Sequence, residues 1–381
     1  MGVFDDLMKS TKNSLGGVAF KGVITGDATS WLDTGSYALN ALISGSIYGG
    51  FPMGKVSGLN APQAAGKTFF LLTTVKEFLD KNPTGAVFYF ESESAVSKQM
   101  LEERGIDTKR VYVLPVTTIQ EFRNQAIKIL DGYKASGKTR EDRPPMIMCL
   151  DSLGMLSTNK EVEDIGEGKD TRDMTRTQLI KGAFRVLTLK LGEVDVPLIL
   201  TNHVYASMDM YSPPVISGGS GILYAASTLV GLSKRKLKDG AEQIGSDIRC
   251  TLYKSRFTKE TSQVFVGLHY DTGLDRYHGL LDIAEATGIF VKDGTRFLVN
   301  GKKVFGTTIA KNPKDYFTKD VLDLIDAACK KEFCYGQVKE ETETIDEVLE
   351  RAEAPIDAET GEVLYDPLEA GIMSQHFNDE S

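Results

Sequence analysis

Cysteine and histidine are scarce in this sequence, and long hydrophobic runs are missing. Four cysteines and four histidines occur in 381 residues. The cysteines form no Cys-x-x-Cys pair and the histidines are scattered, so neither a disulfide framework nor a structural zinc site is supported. The apolar runs at 146–150 and 197–200 are far shorter than a membrane span. Asp5 and Asp6 stand where a signal peptide would be basic, which predicts a cytoplasmic protein without a membrane partner.

The composition is that of an ordinary globular protein. Hydrophobic residues make up 41% of the chain and charged residues 25%, enough apolar material for a sizeable core. The length of 381 residues exceeds one typical domain. We therefore expect either one large core with smaller terminal pieces or two domains.

The negative charge is concentrated at the C-terminal end. The whole chain has a formal net charge of −9. Residues 336–381 contain fourteen acidic residues against Lys339 and Arg351, a net charge of −12, so residues 1–335 carry +3. Basic clusters occur at 234–238 and 254–256. The overall charge therefore does not exclude nucleic acid as a partner.

A phosphate-binding loop is predicted between a short strand and a helix. Residues 55–59 alternate polar and apolar, and residues 69–79 have apolar positions at helical spacing. The turn between them ends in Gly66-Lys67-Thr68. Backbone N–H groups at such a helix N-terminus converge on one point and favour a triphosphate there. Lys67 would reach the β- and γ-phosphates, and Thr68 would bind Mg²⁺.

A second stretch competes for this assignment. The first loop has Ala61 where the consensus begins with glycine, whereas residues 132–139 match the consensus in full. Helical periodicity at 119–133 precedes the second match, and residues 140–145 cannot begin a helix. We therefore predict phosphate binding at the first stretch and a helix end with a loop at the second. Ala61 should let the first loop close if its φ stays negative.

Two later strands end in acidic side chains. The apolar run 86–90 is followed by Glu91 and Glu93, and the run 146–150 by Asp151. Open α/β sheets bind ligands at the carboxyl ends of their strands. Beside a phosphate-binding loop, one of the glutamates is predicted to orient the attacking water and Asp151 to hold Mg²⁺ through water.

The remaining pattern predicts a doubly wound α/β sheet. The strand at 196–200 ends in polar residues that include His203, which taken alone is either a phosphate sensor or a histidine at the edge of the core. The longest loop signal covers 205–226. Other expected elements are a loop at 153–170, helices at 174–191 and 279–287, and strands at 111–114, 228–232, 247–254, 262–270 and 296–299. Alternating strands and helices favour a mostly parallel sheet with an antiparallel addition.

In order and spacing, these stretches resemble the RecA-like recombinases over about residues 33–300, and most closely the phage T4-type branch of that family. Besides the phosphate-binding loop and the glycine-rich run 217–221, the resemblance rests on Thr34-Gly35-Ser36-Tyr37-Ala38-Leu39-Asn40, Gly49-Gly50-Phe51-Pro52-Met53-Gly54-Lys55, Phe90-Glu91-Ser92-Glu93, Leu150-Asp151-Ser152-Leu153-Gly154, Asp173-Met174-Thr175-Arg176, Thr201-Asn202-His203, Lys254-Ser255-Arg256, and Tyr270 followed by Gly279-Leu280-Leu281-Asp282.

The resemblance implies a RecA-type P-loop ATPase core, a mostly parallel twisted sheet flanked by helices, at 31–300. It also implies an N-terminal polymerisation element at 1–30, a small C-terminal region at 301–335 and a flexible acidic tail at 336–381. The tail resembles regulatory tails that compete with DNA for a basic groove, although a plain solubilising tail would have the same composition.

Roles in hydrolysis follow from the same resemblance. Glu93 matches the catalytic glutamate that activates water, and Glu91 would support it. Asp151 matches the Walker B acid that holds the metal with Thr68. Asn202 and His203 would sense the γ-phosphate and connect it to a DNA-binding loop.

The resemblance further implies a site shared between subunits. Lys254 and Arg256 would reach into the ATP site of the neighbouring subunit, and Met100 and Tyr270 would flank the adenine. The implied nucleotide-binding set is Ala61, Pro62, Gln63, Ala64, Ala65, Gly66, Lys67, Thr68, Phe69, Met100, Asp151, Asn202 and Tyr270.

Two DNA-binding loops are implied at 155–170 and 204–226. The candidate DNA contacts are Arg172, Arg176, Lys181, Arg185, Ser217, Gly218, Gly219, Ser220 and Gly221. The pattern is equally compatible with an ordinary solvent-exposed helix face for each of the four basic residues, Arg172, Arg176, Lys181 and Arg185.

The implied function is that of an ATP-dependent recombinase. It would form helical filaments on single-stranded DNA with ATP and Mg²⁺, and pair that strand with homologous duplex DNA. A loader protein and a single-strand-binding protein would be partners, in the host cytoplasm if the chain is phage-encoded. A hexameric helicase on the same core and a non-catalytic ATP-binding regulatory module are the alternatives.

Overall fold

A computed structural model describes residues 2–335 except 14, 18, 20, 21, 24, 29, 170–173, 206–214, 218, 219, 240 and 300. Several sequence predictions therefore fall outside the described residues. These are the acidic tail at 336–381, the cation Arg172, the glycines Gly218 and Gly219, and residues 206–214 of the second DNA-binding loop.

Ten strands form the central sheet. Six are parallel, in the spatial order β5 (Val111–Pro115), β4 (Ala86–Glu91), β6 (Met146–Asp151), β7 (Leu198–Tyr205), β3 (Val56–Ala61) and β9 (Thr228–Asp239). Three antiparallel strands follow β9, namely β10 (Glu242–Ser255), β11 (Gln263–His269) and β12 (Gly273–Leu274), and β8 (Val215–Ile216) pairs with β7. The expected mostly parallel sheet with an antiparallel addition is confirmed.

Helices cover both faces of this sheet. One core lies between the sheet and the helices α2 (Tyr37–Ser44) and α3 (Lys67–Lys81). The other lies beneath α5 (Ile119–Ala135), α7 (Arg176–Val194) and α8 (Ser220–Ala225). Every residue of β3 and β6 is buried, because helices cover both faces of the parallel part of the sheet.

The smaller elements surround this core. The pair β1 (Trp31–Leu32) and β2 (Phe51–Pro52) is antiparallel, as is the three-stranded sheet of β13 (Val291–Asp293), β14 (Arg296–Val299) and β15 (Lys302–Phe305). The remaining helices are α1 (Gly2–Ser10), α4 (Lys98–Glu103), α6 (Asn159–Gly166), α9 (Leu280–Ala286), α10 (Gly306–Lys311), α11 (Pro313–Tyr316) and α12 (Lys319–Phe333). Among the described helices, none combines the length and apolarity that crossing a membrane requires.

Three sequence expectations need correction. Residues 205–226 were expected to be one long loop, but the strand β8 and the helix α8 lie within them. Residues 153–170 were expected to be a loop, but α6 lies within them. Thr158 caps this helix and Glu161 completes a capping box, a local signal that was readable in the sequence. The strand expected at 228–232 continues to residue 239, because Asp239 pairs with Glu242 across a two-residue connection. The basic cluster at 234–238 therefore lies on β9.

The second consensus match has the structure expected for it. Its first four residues, 132–135, end α5, and the rest begin the loop that leads to β6. No helix starts after its Gly137-Lys138-Thr139 until β6 has passed. The backbone N–H of Thr139 instead bonds the Asp142 side chain at 2.9 Å. The match therefore lacks the strand, loop and helix order that a phosphate site requires.

Residues 301–335 share the core of α2. Ile325 and Cys329 of α12 are fully buried in the same cluster as Leu39 and Leu42. Asp326 accepts hydrogen bonds from the hydroxyl of Ser46 at 2.5 Å and from the N–H of residue 47 at 2.8 Å. The C-terminal region thus adds to the main core.

The buried carboxylate of Asp33 connects the N-terminal part of the core to the end of α3 and to the segment that follows β12. Asp33 accepts hydrogen bonds from Asn40 at 2.8 Å, Lys81 at 2.5 Å and Arg276 at 2.6 Å. Burial alone would raise its pKa, but these bonds outweigh burial and lower the pKa to about 2. The folded state therefore favours the ionised carboxylate.

We expect Asp33→Asn to destabilise the protein by about 2 kcal/mol at pH 7, because the native pKa is lowered relative to an unfolded value of about 3.9. A lowered pKa gives stability that is present above the unfolded pKa and is lost as pH falls toward the folded one. The difference between Asp33→Asn and wild type should therefore shrink to about half at pH 3. Urea unfolding across pH 3–7 measures it, and an unchanged difference would contradict the role of the charge.

Candidate functional site

The first predicted loop lies between β3 and α3, as expected. Gly66 precedes α3 with φ of 94° and Ala64 has φ of 59°, which turns the backbone sharply into the helix. Ala61 is the last residue of β3 and is fully buried. Its methyl group belongs to the core beneath α2 and α3, so alanine is accommodated where the consensus has glycine.

Lys67 folds back over this loop. Its ammonium donates hydrogen bonds to the carbonyls of Ala61 at 3.1 Å and Pro62 at 2.9 Å. Burial lowers the pKa of Lys67, while the negative charges of Glu93 and Asp151 act in the opposite direction. A charged donor held only by carbonyls can exchange them for phosphate oxygens, which are stronger acceptors.

The Asp151 carboxylate accepts hydrogen bonds from three hydroxyl groups. Thr68 and Tyr89 each donate to Oδ2 at 2.8 Å, and Thr201 donates to Oδ1. Asp151 is 2% exposed. Burial and the charge of Asp151 raise the pKa of Tyr89, so Tyr89 stays protonated and donates. A carboxylate beside the Thr68 hydroxyl is an all-oxygen donor set, which fits Mg²⁺.

Glu93 lies beside Asp151, at the carboxyl end of β4. Its Oε1 accepts a hydrogen bond from the Ser152 hydroxyl at 2.5 Å and contacts Nε2 of His203 at 3.0 Å. Burial would raise the pKa of Glu93, but the bonds from Ser152 and His203 lower it. Glu93 is therefore ionised at neutral pH, as a general base must be.

Glu91 organises the turn that carries Glu93. Its carboxylate accepts hydrogen bonds from the backbone N–H groups of residues 93, 94 and 95 at 3.1, 2.8 and 2.8 Å. It is 7% exposed. Its contacts fit the supporting role that the resemblance implied for it.

The end of β7 connects this cluster to the second loop. His203 contacts Glu93, and its carbonyl accepts the N–H of Ser217 at 2.9 Å. Asn202 is fully buried and donates to the carbonyl of Ser217 at 2.7 Å. The Asn202 amide therefore reaches the loop, and its contact with a nucleotide stays a prediction.

The two residues expected to flank adenine differ in their surroundings. Met100 is partly buried against the core beneath α3. Tyr270 is 62% exposed, and its hydroxyl oxygen accepts a hydrogen bond from the Gln243 side-chain amide. The Arg104 guanidinium lies 5.1 Å from the ring centroid of Phe69 in the first turn of α3, so an arginine also adjoins this region.

The cations assigned to the neighbouring subunit's site lie near α8. The Lys254 ammonium donates to the carbonyls of Leu223 and Tyr224 at the end of α8. Arg256 is exposed and lines a cleft with Lys181 and Arg185 of α7. Gly221 lines the same cleft. Three of the candidate DNA contacts and one of the candidate interface cations therefore share one basic cleft.

Arg176 has a different environment from the other candidate DNA contacts. Its guanidinium donates to the carbonyls of Leu156 at 3.0 Å and Gly154 at 2.9 Å. It thereby holds the chain that follows β6, at the start of the first implied DNA loop. Its described contacts are those of a residue that shapes this loop.

Comparisons with known proteins show the family of this chain. The sequence matches the model of the RecA N-terminal domain over residues 15–275. The chain belongs to the RecA family. It is 34% identical over 254 residues to the "Recombination and repair protein" of Enterobacteria phage T4, an alignment that covers 67% of this chain and 63% of that relative. The chain thus spans less than two thirds of the phage protein's length.

Bacterial members of the RecA family are also similar. "Protein RecA" of Streptomyces rimosus is 26% identical over 335 residues, covering 86% of this chain and 83% of the relative. "Protein RecA" of Mannheimia haemolytica is 25% identical over 276 residues, covering 72% and 70%. The family resemblance inferred from the sequence is confirmed.

Three residues at this RecA-family site were not anticipated from the sequence. Ser152, Tyr89 and Thr201 all donate hydroxyl groups to its carboxylates. For two of them the sequence did carry a signal. Side chains two residues apart on a strand face the same side of the sheet, so Tyr89 shares a face with Glu91 and Thr201 with His203. Nothing in the pattern specified which acidic side chain these hydroxyls would meet.

We expect Glu93→Gln to reduce ATP hydrolysis by about 10² to 10⁴-fold, because the amide cannot accept a proton from water. ATP binding should change little, since Lys67 and the loop are intact.

Lys67→Ala should abolish hydrolysis and weaken ATP binding. Single-turnover hydrolysis and fluorescent-nucleotide binding separate the two effects. A Glu93→Gln variant that hydrolyses ATP at the wild-type rate would refute the role of Glu93.

Proposed function

We propose that this chain is a DNA-dependent ATPase that polymerises on single-stranded DNA and, with ATP and Mg²⁺, pairs it with homologous duplex DNA and exchanges strands in recombination and repair. The observation that carries the proposal is the contact between Glu93 and His203. It links a hydrolytic carboxylate directly to the strand that leads into the second loop. Membership of the RecA family and the name of the phage relative, "Recombination and repair protein", support the same function.

Phosphoryl transfer needs mainly positioning and charge neutralisation. Lys67 and the N–H groups at the start of α3 bind the phosphates, while Thr68 and Asp151 hold Mg²⁺. The metal ion neutralises charge on the phosphate oxygens when it is bound. Glu93 orients a water molecule and accepts its proton, and Ser152 and His203 keep the Glu93 carboxylate in place.

Coupling to DNA follows from the same contacts. The backbone of His203 is paired with Ser217, and the Asn202 amide bonds the Ser217 carbonyl. A displacement of residue 217 by bound DNA would therefore be transmitted to the end of β7. His203 would carry that displacement to Glu93.

A neighbouring subunit completes the proposed site. Arg256 lines the cleft beside α7 and α8, and the Lys254 ammonium donates to carbonyls at the end of α8. In the proposal both supply positive charge to the next subunit's phosphates. α1 supports self-association, because Phe4, Leu7 and Met8 lie at helical spacing and are 76%, 57% and 39% exposed. We assign residues 1–30 to polymerisation on this basis.

The proposed partners follow from this function. Lys181 and Arg185 would contact the phosphates of single-stranded DNA. We also propose that the chain works with a loader protein and a single-strand-binding protein. It would act in the cytoplasm of the host cell if it is phage-encoded. Residues 31–300 would be the catalytic core, and the acidic tail at 336–381 would act either as a regulatory tail that competes with DNA or as a solubilising tail.

Electron microscopy tests the proposal directly. With single-stranded DNA and a slowly hydrolysed ATP analogue, we expect open helical filaments, because the shared site requires head-to-tail contacts. Closed rings would instead indicate a hexameric helicase. Neither filaments nor rings, together with no stimulation of ATP hydrolysis by DNA, would indicate a regulatory module.

We expect Arg256→Ala to abolish DNA-stimulated hydrolysis while the monomer binds ATP almost normally, because the arginine acts on the neighbour's phosphates. The reduction should be about 10³-fold if Arg256 acts as an arginine finger. ATPase assays with and without single-stranded DNA measure it. Arg123→Ala is the matched control, since the Arg123 guanidinium bonds its neighbour Asn124 on α5. A fully active Arg256→Ala protein would refute the shared site.

A further inference from the structure

The Asp151 carboxylate is surrounded by hydroxyl groups from three elements. Thr68 is the second residue of α3, Tyr89 lies on β4 and Thr201 lies on β7. The strands β4 and β7 flank β6 on either side. Each neighbouring strand therefore contributes one hydroxyl to the last residue of β6.

Strand register explains how both hydroxyls reach the same carboxylate. Leu150 is paired with Leu200, which places Thr201 beside Asp151. Tyr89 is paired with Cys149 on the other side, and its longer side chain extends along the sheet to Oδ2. Both Tyr89 and Thr201 are fully buried. Their hydroxyl groups are therefore held by the packing of the sheet.

The number of donors limits what Asp151 can still bind. An ionised carboxylate has about four acceptor positions. Three are taken by Thr68, Tyr89 and Thr201. The fourth remains for a donor such as metal-bound water, in line with the Mg²⁺ role that residues Thr68 and Asp151 have in the proposed function.

We propose that Tyr89 and Thr201 are positioning residues that hold the Asp151 carboxylate in the orientation in which it binds Mg²⁺ together with Thr68. They do not touch the nucleotide. They set the metal affinity by fixing the carboxylate rotamer, as hydrogen-bond partners of metal ligands do in general. This inference rests on the proposed function, because it concerns the metal of the same ATP site.

A purely structural role would have a different signature. Any buried carboxylate requires hydrogen bonds, so removing a hydroxyl can destabilise the fold without affecting metal binding. The two roles differ in the metal affinity of the folded protein. They also differ in whether a smaller hydroxyl side chain restores that affinity.

Binding of Mn²⁺ to the full-length chain in the presence of ADP and without DNA tests the inference, with free Mn²⁺ measured by electron paramagnetic resonance. Tyr89→Phe and Thr201→Val should each weaken Mn²⁺ binding by about tenfold or more, the usual effect of losing a partner of a metal ligand. Thr201→Ser keeps the hydroxyl and should restore binding to within about threefold of wild type. ADP binding without metal should stay the same in all variants.

Two controls accompany these variants. Tyr133→Phe removes a tyrosine hydroxyl that donates to the carbonyl of Pro144 at 2.9 Å, away from the site, and should leave Mn²⁺ binding unchanged. Asp151→Asn should lose most of it. Thermal unfolding without metal reports any loss of stability in each variant.

The outcomes distinguish this inference from the proposed function. Wild-type Mn²⁺ affinity in both Tyr89→Phe and Thr201→Val, with weak binding by Asp151→Asn, would overturn the positioning role alone. A lower unfolding temperature without metal, combined with unchanged metal affinity, would overturn it in the same way. No metal-dependent ADP binding by the wild-type chain would overturn the proposed ATP site as well.

Discussion

Parallel pairing of β6 with β4 and β7 is the constraint on which the rest of this structure depends. Parallel strands in register end at the same edge of a sheet, so the side chains that follow them meet there. Glu91 is paired with Asp151, and Leu150 with Leu200. The loop after β3 opens at the same edge. Glutamate, aspartate, histidine and the phosphate-binding loop therefore come together although more than a hundred residues separate the first from the last.

The charged side chains at this edge of the sheet all have hydrogen-bond partners. The Asp151 carboxylate is held by hydroxyls, the Lys67 ammonium by carbonyls, and Glu93 by Ser152 and His203. Buried charges without such partners would be strongly destabilising. Asn202 and His203 are hydrogen-bonded to Ser217 and so connect this cluster to the segment that follows β7.

Much of this arrangement could be predicted from the sequence because its signals are local. Apolar runs that end in acidic residues identified β4 and β6, and the order of strand, loop and helix was predicted correctly for the loop between β3 and α3 despite Ala61. Ala61 is acceptable because its methyl group packs in the core, which no pattern search considers. α6 was missed although its capping box at Thr158 was present, since a charged segment between two motifs looked like a loop. The length of the β9 and β10 hairpin was missed because its outer residues are exposed and basic.

The sequence by itself determined the fold class, the family and the identity of the main acidic and basic side chains at the site, because hydrophobic periodicity and motif spacing depend on neighbours along the chain. Only the tertiary structure decided which hydroxyls meet Asp151, that Arg176 holds the first loop, and that Arg256 shares a cleft with Lys181 and Arg185. These contacts join residues from separate strands and helices. Their geometry depends on strand register and side-chain packing, which become defined only when the sheet and its helices assemble.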